Sequence, residues 1–130
     1  MPQYQMTGSV GRTPELSFIP SGSALAKFSL SINTGTKEKP KRIWVKCIAW
    51  KDIAERVAKH IFQGNLIGVN GKVADVETWI DKDGKTPKAA LVFTCFEVGR
   101  YDKGIGWVDI RGVPSHERLT GAPQPDDEPF

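Results

Sequence analysis

No stretch of this sequence approaches the ~20 consecutive apolar residues that a membrane-spanning helix requires, so a membrane role is not expected. The opening residues, MPQYQMTGSVG, have neither the basic nor the apolar segment of a secretory signal. A cytoplasmic location is the expectation. Cysteine is scarce. Cys47 and Cys95 are the only two, both inside strand-like runs and neither with a histidine nearby. That pattern excludes a disulfide framework and a zinc-finger spacing, and predicts two buried, reduced thiols. Histidine is as rare: His60 falls on a helical segment and His116 near the end of the chain. There is no G-x-S-x-G, no H-E-x-x-H and no Ser-His-Asp spacing. Asp83-Gly-Lys-Thr86 carries part of a phosphate loop, but Trp79 stands where its first glycine belongs and a strand, not a helix, follows. These absences argue against an enzyme and imply no cofactor and no metal.

What is present suits one folded domain. The chain has 130 residues, 39% hydrophobic and 25% charged, enough to bury roughly two-thirds of its unfolded surface without covalent staples. The net charge of +3 is unevenly spread. Residues 1–99 carry 14 Lys/Arg against 9 Asp/Glu, whereas residues 100–130 carry 4 against 6. A basic body with an acidic end points to an anionic ligand for the body and a separate use for the end.

Alternation identifies strands. Tyr4, Met6, Gly8 and Val10 alternate with Gln5, Thr7 and Ser9. A turn, GRTPEL, leads to a short extended Leu16–Ile19, and PSGS (20–23) reverses the chain. Ala26, Phe28, Leu30 and Ile32 form the apolar face of a long strand, followed by the polar, basic loop 34–42. RIWVKCIAWK (42–51) places Ile43, Val45, Cys47 and Ala49 on a core face and Trp44, Lys46, Ile48 and Trp50 on the other. One helix is expected next. Asp52 and Glu55 have capping-box spacing, Ala54, Val57, Ala58, Ile61 and Phe62 share a face, and Gly64 follows as a stop. Leu66–Val69, a bend at Gly71 and a strand from 72 to 80 come after, then an Asp-Gly loop and a last strand over 88–98. A single helix between the third and fourth strands is the order of the five-stranded oligonucleotide-binding (OB) barrel, and a glycine inside strand four suits a strand bent to close it. The expected fold is all-β, with the binding domain over 1–99. Residues 100–125 read as a linker with a short extra strand near 105–110, disorder is expected beyond Val113, and 126–130 form an acidic tip.

The outer face of RIWVKCIAWK combines aromatic planes with a cation. Every base has a π-face, so aromatic side chains stack on single strands whatever the sequence while Lys and Arg track the phosphates. Trp44, Trp50 and Trp79 are the candidate stacking residues, and Lys27, Lys41, Arg42, Lys46 and Lys72 the candidate phosphate contacts. The competing reading makes the tryptophans core anchors.

The chain also resembles the bacterial single-stranded DNA-binding proteins, over 4–99 and again at its last residues. The stretches that carry the likeness are MTGSVGRTPEL, PSGSALAKFSLSIN, IWVKCIAWKDIAERVAKHIFQG and GKVADVETWIDKDGK. The resemblance implies a non-enzymatic, nucleoid-associated homotetramer that coats single-stranded DNA without sequence preference in replication, recombination and repair. It implies base stacking at Trp44, Trp50 (where the family often has Phe) and Trp79. It also implies that the tip, Asp126, Asp127, Glu128, Pro129 and Phe130, recruits replication and repair proteins, although Glu128 stands where the family has a hydrophobic residue. Two alternatives stay open: a dimeric replication-restart OB protein acting as a bridge, and an OB module for RNA or protein interaction.

Overall fold

A computed structural model describes residues 4–110. The strands are β1 (Tyr4–Val10), β2 (Glu15–Phe18), β3 (Ala24–Asn33), β4 (Arg42–Trp50), β5 (Leu66–Ile80), β6 (Pro87–Asp102) and β7 (Gly106–Asp109), with helix α1 (Lys51–His60) between β4 and β5.

Five of these strands close on themselves in the order β1-β5-β6-β4-β3, the last pairing back to β1. All contacts in the ring are antiparallel except β4 with β6, which run parallel from Val45↔Leu91 to Ile48↔Thr94. Closure is made by a short pairing, Ser9↔Ser31 and Val10↔Leu30. The rest of that edge of β3 pairs with β2 from Glu15↔Lys27 to Phe18↔Ala24. This is the OB architecture expected from the element order, with β2 as an added flap and the helix after the third strand of the ring.

Alternation explains why the ring closes. Inward residues Phe28, Leu30, Val45, Cys47, Ile67, Val69, Phe93 and Val98 are fully or almost fully buried, joined by Ala54, Val57 and Ile61 from the helical segment. A ring this small also needs a sharp bend, and β5 supplies it. Its pairing with β6 shifts register between Asn70 and Gly71 and again between Val73 and Asp75. At Gly71 the backbone runs so close to β6 that a Cβ would collide with the Thr94 carbonyl oxygen. Only glycine permits that approach. The two runs read separately as 66–69 and 72–80 are therefore one strand bent at a bulge.

The helix departs from expectation at both ends. Asp52 does not cap it: the N-cap is Trp50, no side chain bonds the free amides, and β4 passes directly into α1. The turn is made by Lys51 with φ of 56°, a left-handed conformation that costs a non-glycine residue about 1–2 kcal/mol. The helix stops at His60, so Ile61 enters the core as its C-cap rather than on a helical face. Arg100, buried at 1% exposure, donates from Nη1 to the His60 carbonyl at 2.9 Å. That bond satisfies a carbonyl at the helix end, where orphan acceptors otherwise need water.

Arg100 lies beyond the boundary read at residue 99, and so does more of the fold. β6 continues to Asp102, β7 pairs with it from Gly99↔Asp109 to Asp102↔Gly106, and Ile110 is fully buried. Cys47 and Cys95 are buried and unbridged. The adjacent Cys95 thiol, together with burial, pushes the Cys47 thiol well above its ordinary range, so it stays protonated and packs as a small apolar group. The disorder expected beyond Val113 falls outside the described residues, and so does the tip at 126–130. Among the described residues no helix is long and apolar enough to cross a membrane.

Candidate nucleic-acid interface

The ring's registers fix what shares its outer surface. Because β3, β4, β6 and β5 are neighbours, one cross-strand row reads Lys27, Ile48, Thr94, Lys72. The next reads Ser29, Lys46, Val92, Asp75. Trp50 pairs with Leu25, Trp44 with Ser31, and Arg42 with Asn33, in phase with Lys46 along β4. Trp79, on β5, pairs with Lys88 of β6. Lys27, Arg42, Trp44, Lys46, Trp50, Lys72 and Trp79 are thus brought onto one face of the sheet. Lys41 is exposed just before β4, in a compact loop held by Thr34 N–H donating to the Lys41 carbonyl at 2.9 Å.

The three indoles sit in different settings. Trp50 is 38% exposed at the end of β4. Trp44 is half-buried, its six-membered ring lying against Gly11: a Cβ there would stand 2.8 Å from Cζ3 of the indole. Gly11 therefore gives Trp44 a flat seat on backbone. Six residues separate the two along β4, about 20 Å at about 3.3 Å per residue. Trp79 is half-buried near the end of β5. None of the three lies in the core cluster.

Lys46 is a partly buried cation of the face. Its Nζ lies 2.5 Å from Glu77 Oε2 and 5.1 Å from the centroid of the Trp79 ring, within the range of a cation–π contact. Its strand partner Val92 is only 5% exposed although it points outward. Alternation alone presents Lys46 as a cation open to phosphate. The structure pairs it with a carboxylate that strand alternation could not reveal, since the pairing depends on β6 joining β4 to β5.

Two further residues join the surface. Lys88, opposite Trp79, is an exposed cation in phase with the face, a role its strand pattern alone does not signal. Beyond Trp79, Asp83 holds the hairpin loop by accepting from the Lys85 and Thr86 amides at 2.8 Å each and from the Thr86 hydroxyl. Those bonds, the Thr86 hydroxyl first, hold the Asp83 carboxyl at about 2.

A sheet face of this kind offers separated π-planes with cations between them. It can hold an extended, flat-based polyanion along its length rather than enclose a small molecule.

Comparison with known proteins agrees with this geometry. The single-strand binding protein family matches residues 1–96, and the chain belongs to it. It is similar to single-stranded DNA-binding protein 2 of Listeria monocytogenes, with 33% identity over 88 residues covering 65% of this chain and 54% of the relative. It is similar also to single-stranded DNA-binding protein 1 of Synechocystis sp., with 30% identity over 89 residues, 67% of this chain and 72% of the relative. Single-stranded DNA-binding protein 2 of Nostoc sp. matches over 125 residues at 24% identity, 96% of this chain and 89% of the relative. The matched chain spans about half the length of the Listeria relatives.

Proposed function

We propose that this protein binds single-stranded DNA without sequence preference, and does so as a non-catalytic coat during replication, recombination and repair. The observation that carries the reading is the outer face of β3, β4, β6 and β5. In a chain of the single-strand binding family, it sets Trp44, Trp50 and Trp79 on the same surface as Lys27, Lys46 and Lys72. Bases stack on the indoles, and the cations neutralise phosphates between them. Stacking and phosphate contacts read no base edge, so discrimination is between single and double strands rather than among sequences.

The test is competition. A labelled oligo-dT is displaced by unlabelled single strands of mixed sequence and by the matching duplex, at several salt concentrations. Single strands should compete far better than duplex, and affinity should fall as salt rises through counterion release. Equal competition by duplex refutes the reading.

Two further parts rest on it. One such domain offers a short track, so the protein acts as a homotetramer whose copies lengthen the track and add avidity. A concentration-independent monomer mass contradicts this. The acidic segment Asp126 to Phe130 sets three carboxylates before a proline and an aromatic residue, a combination that a basic, apolar pocket on a replication or repair protein recognises. Deleting Asp126–Phe130 should abolish capture of such partners and leave binding to DNA intact, or tighter at low salt. A deletion that keeps every partner contradicts it.

A further inference from the structure

Glu77 is a carboxylate in direct contact with a cation of the proposed DNA face, and its placement bears on how a nucleotide enters. Glu77 lies on β5 two residues before Trp79, so both project from the same face. The Lys46 ammonium meets both: the carboxylate oxygen at 2.5 Å and the indole centroid at 5.1 Å. The two sides of that ion pair are unequally exposed. The Lys46 side chain is 14% accessible and the Glu77 side chain 49%. The lysine is therefore held in place by its surroundings, while the glutamate reaches in from solvent and can return to it.

A bound nucleotide would present a phosphate, which competes for the ammonium, and a base, which competes for the indole face. In this arrangement a carboxylate already stands in the first position and an ammonium in the second. A carboxylate beside a phosphate is also repulsive, so both cannot share one lysine without loss. We propose that Glu77 is a built-in competitor for the phosphate at Lys46, so that Lys46, Glu77 and Trp79 form an exchange site. A phosphate displaces the carboxylate into water and a base replaces the ammonium over the indole. Glu77 thereby lowers affinity for single strands and flattens its dependence on salt, because the released carboxylate recovers a counterion as the phosphate gives one up. The inference rests on the reading of this face as a single-strand platform.

The test compares the full-length wild type with Glu77→Gln, titrated with oligo-dT across a salt series. Because Glu77 is exposed, the variant should keep its melting temperature. It should bind about three- to tenfold tighter at low salt, and its log–log salt slope should steepen by about 0.7, the share of one phosphate on a single strand. The gain should vanish when the same change is made in a Lys46→Gln background, since the competitor acts only through that lysine. Unchanged or weaker binding by a folded Glu77→Gln overturns the proposal, and so does a gain that persists without Lys46. A wild type that fails to bind oligo-dT overturns the single-strand reading and this one together. A wild type that binds, beside a variant that binds identically, overturns this one alone.

Discussion

The two faces of β4 follow opposite rules although they are built from the same nine residues. Inward, Val45, Cys47 and Ala49 are 0–1% exposed and join Phe28, Leu30 and Phe93 in the core. Outward, Trp44, Lys46 and Trp50 hold large apolar planes and a cation at the surface. Full burial of a large apolar side chain is worth about 1.5–3 kcal/mol, so leaving Trp44 half-buried and Trp50 38% exposed gives up part of that stability. The contrast separates what holds the fold from what the fold presents. The inner face should govern stability and the outer face affinity, with little exchange between them.

The largest effect should come from the inner face. Phe93→Ala, which empties a fully buried site opposite Cys47, should cost about 3–5 kcal/mol of stability by denaturant unfolding. At a temperature where the variant is still folded, its affinity for oligo-dT should be near that of the wild type. A folded variant with greatly weakened binding would break the separation of the faces.

Trp79→Ala should do the reverse. It should weaken binding to oligo-dT by about 1–3 kcal/mol, with a melting temperature close to wild type. Loss of folding in this variant would return Trp79 to a structural role.

A smaller effect is expected where the two faces meet. Lys51 adopts φ of 56° to turn the strand into the helix, so Lys51→Gly should relieve strain and stabilise by about 1 kcal/mol. A loss of stability on denaturant unfolding would mean that the lysine side chain contributes more than its backbone costs.

The smallest effect lies in the loop beyond Trp79. The Asp83 carboxyl is held at about 2, below the ordinary 3.8, by the Thr86 hydroxyl and the Thr86 and Lys85 amides. A depressed carboxyl contributes its bonds fully above its unfolded value and loses them as pH falls towards the folded one. The loop should therefore stay ordered down to about pH 3 and loosen as pH approaches 2. An NMR titration of Asp83 with its midpoint near 3.8 would show that those bonds do not form in solution.

The sequence exposed one face of this comparison more readily than the other. Period-two alternation in β4 separated its faces directly, and an isolated glycine in a strand marked the bend at Gly71, because both signals are local. Interactions set by register were hidden. Lys46 and Glu77 are 31 residues apart and meet only because β6 runs parallel to β4 and antiparallel to β5. The helix starts before Asp52 although a capping-box spacing there is visible in sequence, because the positive φ of Lys51 that makes the turn has no residue-type signal. Arg100 resembled part of a polar linker, and nothing near it in sequence signals that its guanidinium meets a helix end 40 residues earlier. The extra strand β7 was legible from Trp107, an indole too large for a bare linker, which packs edge-on against Tyr101 at 5.5 Å.

Intrinsic tryptophan fluorescence during titration with oligo-dT, run on the full-length protein at low and high salt, tests the outer face most directly. Stacked bases should quench the emission strongly and saturably at low salt. The quench should shrink in Trp44→Ala, Trp50→Ala and Trp79→Ala, and the midpoint should move to higher DNA concentration as salt rises. A folded wild type whose fluorescence is indifferent to oligo-dT at every salt concentration would contradict the account.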